Sequence, residues 1–310
     1  MRELVVLGTA SQVPTRERNH NGYFLRWDDD GVVFDPGEGT QRQLLFAGVR
    51  ASAVTRICIT HFHGDHCLGL PGVLQRLSLD GVTRPVALSF PASGAVYVDR
   101  LRHASVFDDR LDLRLLPVGA EAAGRGLLTV DDAGHWALRA AALRHSVETI
   151  GWRVEERPGR RMLPERLARA GIAGADVGRL EREGAVVVGG RRIELEEMSV
   201  VRRGQVVAFV MDTAWCDGAV ELASGADLLV CEATFASAEA DLAAAYGHLT
   251  ASQAGRLAAE AGARRLLITH FSQRYPDVSP LVEEAAAAFS GDVVAAADLM
   301  RVAIPPSRAG

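Results

Sequence analysis

Lysine is absent from the sequence, so all 34 basic residues are arginine. No apolar run approaches the ~20 residues that a membrane-spanning helix needs. Cysteine is scarce, and its four residues are scattered without a CxxC pair, which argues against a disulfide framework and against a thiolate zinc site. The first residues run from a short apolar stretch into Gly8-Thr9 and lack the long apolar segment of a signal peptide. These absences predict a soluble cytoplasmic protein without a membrane partner.

The composition is otherwise that of a globular protein. Of the 310 residues, 48% are hydrophobic and 24% are charged, which is enough to bury a core as one α/β domain or two fused halves. The net charge of −5 is unfavourable for binding nucleic acid, although a local basic patch can still do so.

Residues 152–204 differ in character from the rest of the chain. The segment loses the sheet periodicity and holds 12 Arg against 9 Asp plus Glu, a net charge of +3, which leaves 22 Arg against 30 acidic residues elsewhere. It is the only sizeable basic segment, and we interpret it as an insertion. On composition alone, a solvated excursion or small subdomain explains it equally well.

Short strand-like and helix-like runs alternate along the chain. The early strands follow one another closely and the later ones alternate with helices, which predicts an α/β fold with a mixed sheet and helices packed outside. The predicted strands are Leu4–Leu7, Tyr23–Trp27, Val32–Asp35, Arg56–Thr60, Val86–Phe90, Leu111–Leu115, Ala137–Leu143, Val206–Val210, Leu228–Cys231, Arg265–Thr269 and Val293–Ala296. The predicted helices are Thr40–Ala47, Leu70–Leu79, Ala92–His103, Leu242–Tyr246, Ala251–Ala261 and Val282–Phe289.

The densest chemical signal is His61-Phe62-His63-Gly64-Asp65-His66, directly after a predicted strand. Imidazole nitrogens and carboxylate oxygens are the ligands of hydrolytic zinc sites. His61 and His63 alternate on an extended chain and can converge on one metal, whereas Asp65 and His66 follow the turn at Gly64 and point elsewhere. The spacing therefore favours two metals over one. The alternative is a polar loop with satisfied histidines.

Three further candidate ligands each follow a strand. His145, Asp212 and His270 come after the predicted strands that end at residues 143, 210 and 269. Open α/β sheets place their active sites at the carboxyl ends of strands. This shared position predicts that the three side chains meet the HFHGDH segment.

The HFHGDH segment and these later residues resemble the HxHxDH signature and ligand order of the metallo-β-lactamase superfamily. The resemblance implies an αββα sandwich of two mixed sheets flanked by helices. It further implies one zinc held by His61, His63 and His145, and a second held by Asp65, His66 and His270, with Asp212 bridging. Two such ions together activate a water and stabilise charge on a phosphoryl oxygen.

Five other segments are similar to those of one family within this superfamily, ribonuclease Z. These segments are Leu7–Ser11 leading into PTRERN at 14–19, DPGEGTQ at 35–41, CEATF at 231–235, HLT at 248–250 and HFSQRY at 270–275. Cys231 and Leu249 depart from the family's histidine and serine, Met211 from the glycine of its GDT step, and Ala175 from the proline of its Gly-Pro.

The resemblance implies a zinc-dependent endonuclease that cleaves the 3′ trailer from precursor tRNA. The metal pair would be two Zn²⁺ per subunit, with Mn²⁺ possible. Residues 152–204 stand where the family has a protruding arm that grips the tRNA body, so they would be an exosite inserted in a single domain of residues 1–310. The family also implies a homodimer in which one subunit's arm serves its partner.

The resemblance also implies roles for individual residues. Asp65 would orient the attacking water and accept its proton, and His248 would protonate the leaving 3′-oxygen, with Glu232 orienting its imidazole. A capping role is the alternative for His248, since it lies just before a helix. The predicted substrate contacts are Arg16, Arg18, Asn19, Ser272 and Arg274, in which a guanidinium can bind two phosphate oxygens at once.

Three other functions remain open from the sequence. A hydrolase of a small molecule would keep all seven ligands, but it would not need the PTRERN segment, the HFSQRY segment or the basic insertion. A non-catalytic RNA-binding relative would not need a complete ligand set. A di-iron redox enzyme could use the same ligand types, but no flavodoxin-like extension is present.

Overall fold

The computed structural model describes residues 2–306, and its contacts divide them into two compact units. The first unit comprises residues 2–155 and 206–305, and the second comprises residues 156–205 with Pro306. Met1 and residues 307–310, which the predicted domain of 1–310 includes, lie outside the described residues.

The first unit is built on two seven-stranded sheets. The order of the first sheet is β18-β1-β2-β3-β4-β5-β6, with β1 Glu3–Gly8, β2 Gly22–Trp27, β3 Asp30–Phe34, β4 Arg56–Cys58, β5 Val86–Pro91, β6 Leu113–Val118 and β18 Arg301–Ala303. The order of the second is β17-β16-β15-β14-β9-β8-β7, with β7 Leu128–Asp132, β8 Trp136–Leu143, β9 Thr149–Glu156, β14 Val206–Val210, β15 Leu228–Glu232, β16 Arg265–Thr269 and β17 Asp292–Ala295. Both sheets are mixed: β3 to β6 run parallel to one another, as do β14 to β17, and antiparallel strands complete each sheet.

Helices connect the strands of this unit. They are α1 Thr40–Phe46, α2 Gly64–Cys67, α3 Leu70–Leu79, α4 Ala95–Arg102, α5 Ala120–Ala123, α9 Asp217–Ala223, α10 Ala240–Tyr246, α11 Ala251–Glu260 and α12 Ser279–Ala288, with 3-10 turns at Ala51–Ala53, Ala92–Gly94 and Ser237–Glu239. Helix α3 buries Leu70, Val73, Leu74 and Leu77, the three- and four-residue spacing that predicts a helix with one apolar face. None of the described helices has both the length and the apolar character that crossing a lipid bilayer requires.

The two sheets pack face to face around a common core. Aromatic residues join them, with the Phe209 ring 4.7 Å from Phe34 and 4.9 Å from Tyr23 between centroids. The outer face of the first sheet buries apolar residues against α1, α3 and α4, and that of the second sheet against α9, α11 and α12. The layers are therefore helix, sheet, sheet, helix, and the predicted αββα sandwich is confirmed.

The second unit has a small apolar core of its own. It contains two antiparallel strand pairs, β10 Gly159–Met162 with β13 Ser199–Arg202 and β11 Ala185–Val188 with β12 Arg191–Glu194. Its helices are α6 Pro164–Arg169, α7 Ala175–Glu183 and α8 Leu195–Met198. Leu180 and Ile193 are buried at its centre. The second unit thus holds its shape by burying apolar residues of its own.

Strand β9 begins before, and runs through, the start of the predicted insertion. Trp152 and Val154 are fully buried in the second sheet, although the sequence analysis assigned residues from 152 onward to the insertion. The charged residues that follow Trp152 and Val154 in this strand obscured the strand pattern in the sequence. Arg153 is itself buried, because its guanidinium donates to the carbonyls of Leu222 and Ser224 at 2.8 Å.

Candidate metal centre

The carboxyl ends of the strands carry the polar residues that the sequence singled out. Asp35 follows β3 directly, and His61 comes three residues after the end of β4. Asp212 follows β14 by two residues, and His270 follows β16 directly. Because each sheet ends its parallel strands at one edge, these side chains converge although up to 235 residues separate them along the chain.

The seven predicted ligands form two groups that could each hold a metal ion. The first contains His61, His63, His145 and Asp212, and the second contains Asp65, His66 and His270, with the ligand atoms of each group within 4.8 Å of one another. In the first group His63 presents Nδ1, which lies 3.0 Å from His61 Nε2 and 3.4 Å from His145 Nε2.

Asp212 stands between the two groups. Its Oδ2 lies 3.6 Å from His61 Nε2 and 3.4 Å from His66 Nε2, and its Oδ1 lies 3.2 Å from His270 Nε2. Oδ2 therefore faces nitrogen atoms of both groups, and Oδ1 faces a nitrogen atom of the second. This is the position from which one carboxylate can reach two ions.

Three buried atoms at this centre test whether a metal fits. His66 Nε2, His270 Nε2 and Asp212 Oδ1 make no hydrogen bond with any described residue, and their side chains are 3% exposed or less. Buried polar atoms almost always have a partner. The three atoms face one another but do not form hydrogen bonds with one another. Nitrogen and oxygen atoms that converge in this way can act as ligands of a divalent metal ion.

The first and third histidines of the HFHGDH segment, His61 and His66, are oriented through Asp35 on the side away from this space. His66 Nδ1 lies 2.8 Å from Asp35 Oδ2, and His61 Nδ1 lies 3.0 Å from Thr60 Oγ1. Thr60 in turn donates to Asp35 from its hydroxyl and from its backbone N–H, at 2.8 and 2.7 Å. Such contacts fix the tautomer of a metal-binding histidine and direct its other nitrogen to the ion. Asp35 belongs to the DPGEGTQ segment at 35–41 that resembles the family, but its orienting role was not predicted from the sequence.

His270 and His145 are oriented in the same way from the second sheet. His270 Nδ1 lies 3.0 Å from Thr234 Oγ1, and the Thr234 hydroxyl donates to Glu232 Oε2 at 2.6 Å. His145 Nδ1 lies 2.9 Å from the carbonyl oxygen of Gly247. The latter residue has a φ of 71°, and an added Cβ there would stand 3.1 Å from His145 Nδ1. Glycine is therefore required at this contact.

His248 lies beside both groups and is held by Glu232. His248 Nδ1 is 3.1 Å from each carboxylate oxygen of Glu232, which is fully buried. The His248 ring centroid lies 5.0 Å from that of His145 and 5.6 Å from that of His270. A partly exposed imidazole is thus positioned at the mouth of the metal centre.

The pKa of His248 is raised to about 9. Burial acts to lower it, but the negative charges of Glu232 and Asp212 outweigh the burial. The imidazole is therefore a cation that can donate a proton at neutral pH. The alternative capping role is not observed, because Thr250 caps α11 and its hydroxyl accepts from the backbone N–H of Gln253.

The charge states of two ligands suit metal binding. Burial lowers the pKa of His61 well below its usual value, so the ring is neutral and has a lone pair for an ion. Burial acts to raise the pKa of Asp65, but His66 and His270 outweigh it and hold that pKa far below its usual value. Asp65 is therefore an ionised carboxylate.

The predicted substrate contacts in the PTRERN segment, Arg16, Arg18 and Asn19, differ in the contacts that their side chains already make. Arg16 is exposed and makes no hydrogen bond or ion pair with a described residue. Arg18 donates to the carbonyl oxygen of Pro276 at 3.2 Å and lies over the Phe271 ring at 5.4 Å. Asn19 donates from its side chain to the carbonyl oxygen of Glu38 at 2.9 Å. Arg16 is thus free to bind a substrate, whereas Arg18 and Asn19 already contact neighbouring segments. Substrate contact by these three residues stays a prediction.

Ser272 and Arg274 follow the ligand His270. Ser272 is buried, and its hydroxyl oxygen accepts from the backbone N–H of Arg274 at 3.4 Å. Arg274 is exposed, with its guanidinium 5.9 Å from the ring centroid of Phe235. Substrate contact by these two residues stays a prediction, with better access for Arg274.

Replacing Thr234 by valine is expected to weaken metal binding by about 10- to 100-fold, because His270 loses the hydroxyl that orients its ring. Thr234→Ser keeps that hydroxyl and is the matched control. The affinity is measured by competition with a chromogenic chelator. Equal affinities of the two variants would show that the hydroxyl does not orient His270.

Comparisons with known proteins indicate one family. The family model described as the metallo-beta-lactamase superfamily matches residues 15–192. The protein named ribonuclease Z from Salinispora arenicola is 57% identical, over 99% of this chain and 97% of its own length. The ribonuclease Z of Nocardia farcinica is also 57% identical, over 99% of both chains.

Solved structures show the same relationship. The short form of human tRNase Z is 26% identical, with a TM-score of 0.71 over 98% of this chain and 99% of its own. The metallo-beta-lactamase fold protein YhfI from Bacillus subtilis, with a TM-score of 0.67 at 18% identity over 97% and 98% of the two chains, shares the fold. With the ligand groups and the His248–Glu232 pair in place, the chain belongs to the ribonuclease Z family of the metallo-beta-lactamase superfamily.

Proposed function

We propose that this chain is a metal-dependent endoribonuclease that cleaves the 3′ trailer from precursor tRNA. The observation that carries the proposal is the cationic His248, held by Glu232 beside two groups of metal ligands. The 3′-oxygen of RNA is a poor leaving group that needs a proton, which an imidazolium in this position can supply. Identity to proteins named ribonuclease Z along the whole length supports precursor tRNA as the substrate.

The proposal includes two divalent cations, zinc in the first instance and manganese as the alternative. His61, His63 and His145 would hold the first, and Asp65, His66 and His270 the second, with Asp212 between them. When bound, such a pair lowers the pKa of a water and neutralises charge on a phosphoryl oxygen.

Different side chains accept and donate the two protons of the reaction. Asp65, ionised because two histidines face it, orients the attacking water and accepts its proton. His248 gives its proton to the leaving 3′-oxygen, and the Glu232 carboxylate keeps the imidazole charged and correctly turned. The base and the acid thus come from different sheets: Asp65 follows β4 of the first, and Glu232, at the end of β15 of the second, holds His248.

The second unit would serve as the exosite for the body of the tRNA. Many of its arginines are exposed, and Arg161 and Arg182 make no ion pair with a described residue. Exposed arginines suit contacts with the RNA backbone, which recognise shape and are sensitive to salt. Homodimer formation, with each arm serving the partner's active site, and a cytoplasmic location also remain proposals.

Purified protein loaded with zinc is expected to cleave a 3′-extended precursor tRNA at the 3′ boundary of the tRNA. Asp65→Ala should abolish this cleavage, because it removes both a metal ligand and the proton acceptor. Gel analysis of the products gives the position of the cut. A chromogenic phosphodiester assayed in parallel separates an RNA-cleaving enzyme from a hydrolase of small molecules. Activity on that ester alone would show that the metal centre works and would overturn the assignment of RNA as the substrate.

A further inference from the structure

Backbone strain is concentrated around the metal centre. Six described residues other than glycine have a positive φ, and four of them lie at this site: Gln12 at 50°, Asp35 at 44°, Asp212 at 47° and His270 at 59°. Residues with a Cβ rarely adopt this conformation, and Asp, Asn and His do so more often than other types. Glutamine is therefore the unusual member of the four.

Three of these strained residues have a use for their side chains. Asp212 and His270 belong to the ligand groups, and Asp35 orients His66. Strain at a functional site is kept where the side chain must be held in one direction. Gln12 has no such explanation so far.

The main chain of Gln12 is tied to the site. Its N–H donates to Asp65 Oδ2 at 2.8 Å, and its carbonyl oxygen lies 3.2 Å from His20 Nε2. Glycine would make both contacts without the steric cost of a Cβ. The main-chain contacts therefore account for the conformation of this residue but not for the presence of a glutamine side chain.

The side chain of Gln12 is available to a ligand. It is exposed, and its carboxamide makes no hydrogen bond with any residue of the described range 2–306. The same residue is one hydrogen bond away from the Asp65 carboxylate. A substrate bound for cleavage would therefore pass beside this carboxamide.

We propose that the Gln12 carboxamide hydrogen-bonds the edge of a nucleobase that flanks the scissile phosphate, so that the rate of cleavage depends on that base. The inference rests on the proposed function and names part of the substrate of the same site. A carboxamide offers two donors and one acceptor in a plane, which match the edge of a base. It is uncharged, so it contributes less than an arginine to holding phosphate.

The test compares wild-type protein with Gln12→Gly on precursor tRNAs in which the nucleotide on each side of the cut is varied in turn. The wild type should prefer one base over others by about 5- to 100-fold in kcat/KM at one of these positions. Gln12→Gly should cleave the precursors with all four bases at that position with nearly equal efficiency and should keep its metal content. Any loss of rate on a chromogenic phosphodiester should be smaller than the loss on the preferred precursor. Gln12→Glu, which has only acceptors, should shift the preference towards cytosine.

Asp28→Gly is the matched control. Asp28 also has a positive φ, of 57°, but it lies in the turn between β2 and β3, at the ends of these strands away from Asp35. Relief of strain there should leave the base preference unchanged.

Four outcomes would count against the inference. A base preference that persists in Gln12→Gly would overturn it. So would an equal loss on RNA and on the small ester, because that would indicate a structural role for the side chain. Wild-type cleavage without any base preference would overturn this inference alone, whereas absence of RNA cleavage by the wild type would overturn the proposed function as well.

Discussion

His248→Ala is expected to slow cleavage of precursor tRNA by about 10²–10⁴-fold, the usual contribution of a positioned general acid. His248 lies close enough to Asp212 and His270 to form a third possible metal-binding group with them. If it acts as the acid instead, the variant should keep its metal, because the two groups of predicted ligands do not include it. Single-turnover rates give the effect on the chemical step, and metal analysis of the purified variant gives its content. Loss of metal from this variant would show that His248 is a ligand rather than the acid.

The leaving group offers a sharper form of the same test. A p-nitrophenyl phosphodiester releases a phenolate that is stable without a proton, so its hydrolysis should fall much less in His248→Ala than cleavage of RNA. His103→Ala, at an exposed histidine on the end of α4, controls for the loss of an imidazole. An equal loss on both substrates would contradict proton donation by His248.

Removal of the second unit is expected to reduce kcat/KM on precursor tRNA by about 10²-fold or more, because several backbone contacts are lost at once. The rate on a small phosphodiester should stay the same, since all the metal ligands belong to the first unit. The strand pairing shows where the chain can be rejoined in this deletion variant. Glu155 and Val206 are directly opposed in the antiparallel pair of β9 and β14, so a two-residue Asn-Gly turn can join them.

A milder variant of the second unit tests the same role without a deletion. Arg161→Gln combined with Arg182→Gln removes two exposed charges that make no ion pair within the described chain. If these arginines contact phosphates, the dependence of tRNA binding on salt should become shallower by about one unit of slope for each contact. A deletion variant that loses activity equally on tRNA and on the small ester would exclude an exosite.

The ligands of the metal centre could be predicted from the sequence because their pattern is local. Four of them lie within HFHGDH, and the other three each follow a run of strand residues. Helix α3, Leu70–Leu79, was likewise predicted with the bounds observed, since its apolar residues repeat at helical spacing. Such features depend on residues that are neighbours along the chain.

Strand β9 shows where this reasoning failed. Trp152 and Val154 alternate with charged residues as a strand exposed on one face would, but both faces of this strand are covered. Arg153 can be buried only because carbonyl groups 69 and 71 residues away accept its hydrogen bonds. A local sequence pattern does not show the distant carbonyl groups whose hydrogen bonds offset the cost of burying an arginine.

The sequence by itself determined the chemical types at the centre and an α/β fold with a mixed sheet, because these follow from short-range periodicity and from strand ends, while the αββα layers and the ligand order followed from the resemblance of its motifs to a family. Only the tertiary structure decided which nitrogen His66, His145 and His270 present, since the groups that orient these rings come from other strands and loops. Thr234 reaches His270 across 36 residues, and Gly247 reaches His145 across 102. It also decided that the side chains of Arg18 and Asn19 donate to carbonyl oxygens of other segments, whereas the Gln12 side chain makes no hydrogen bond with a described residue. A hydrogen bond depends on distance and direction in space, and separation along the chain specifies neither.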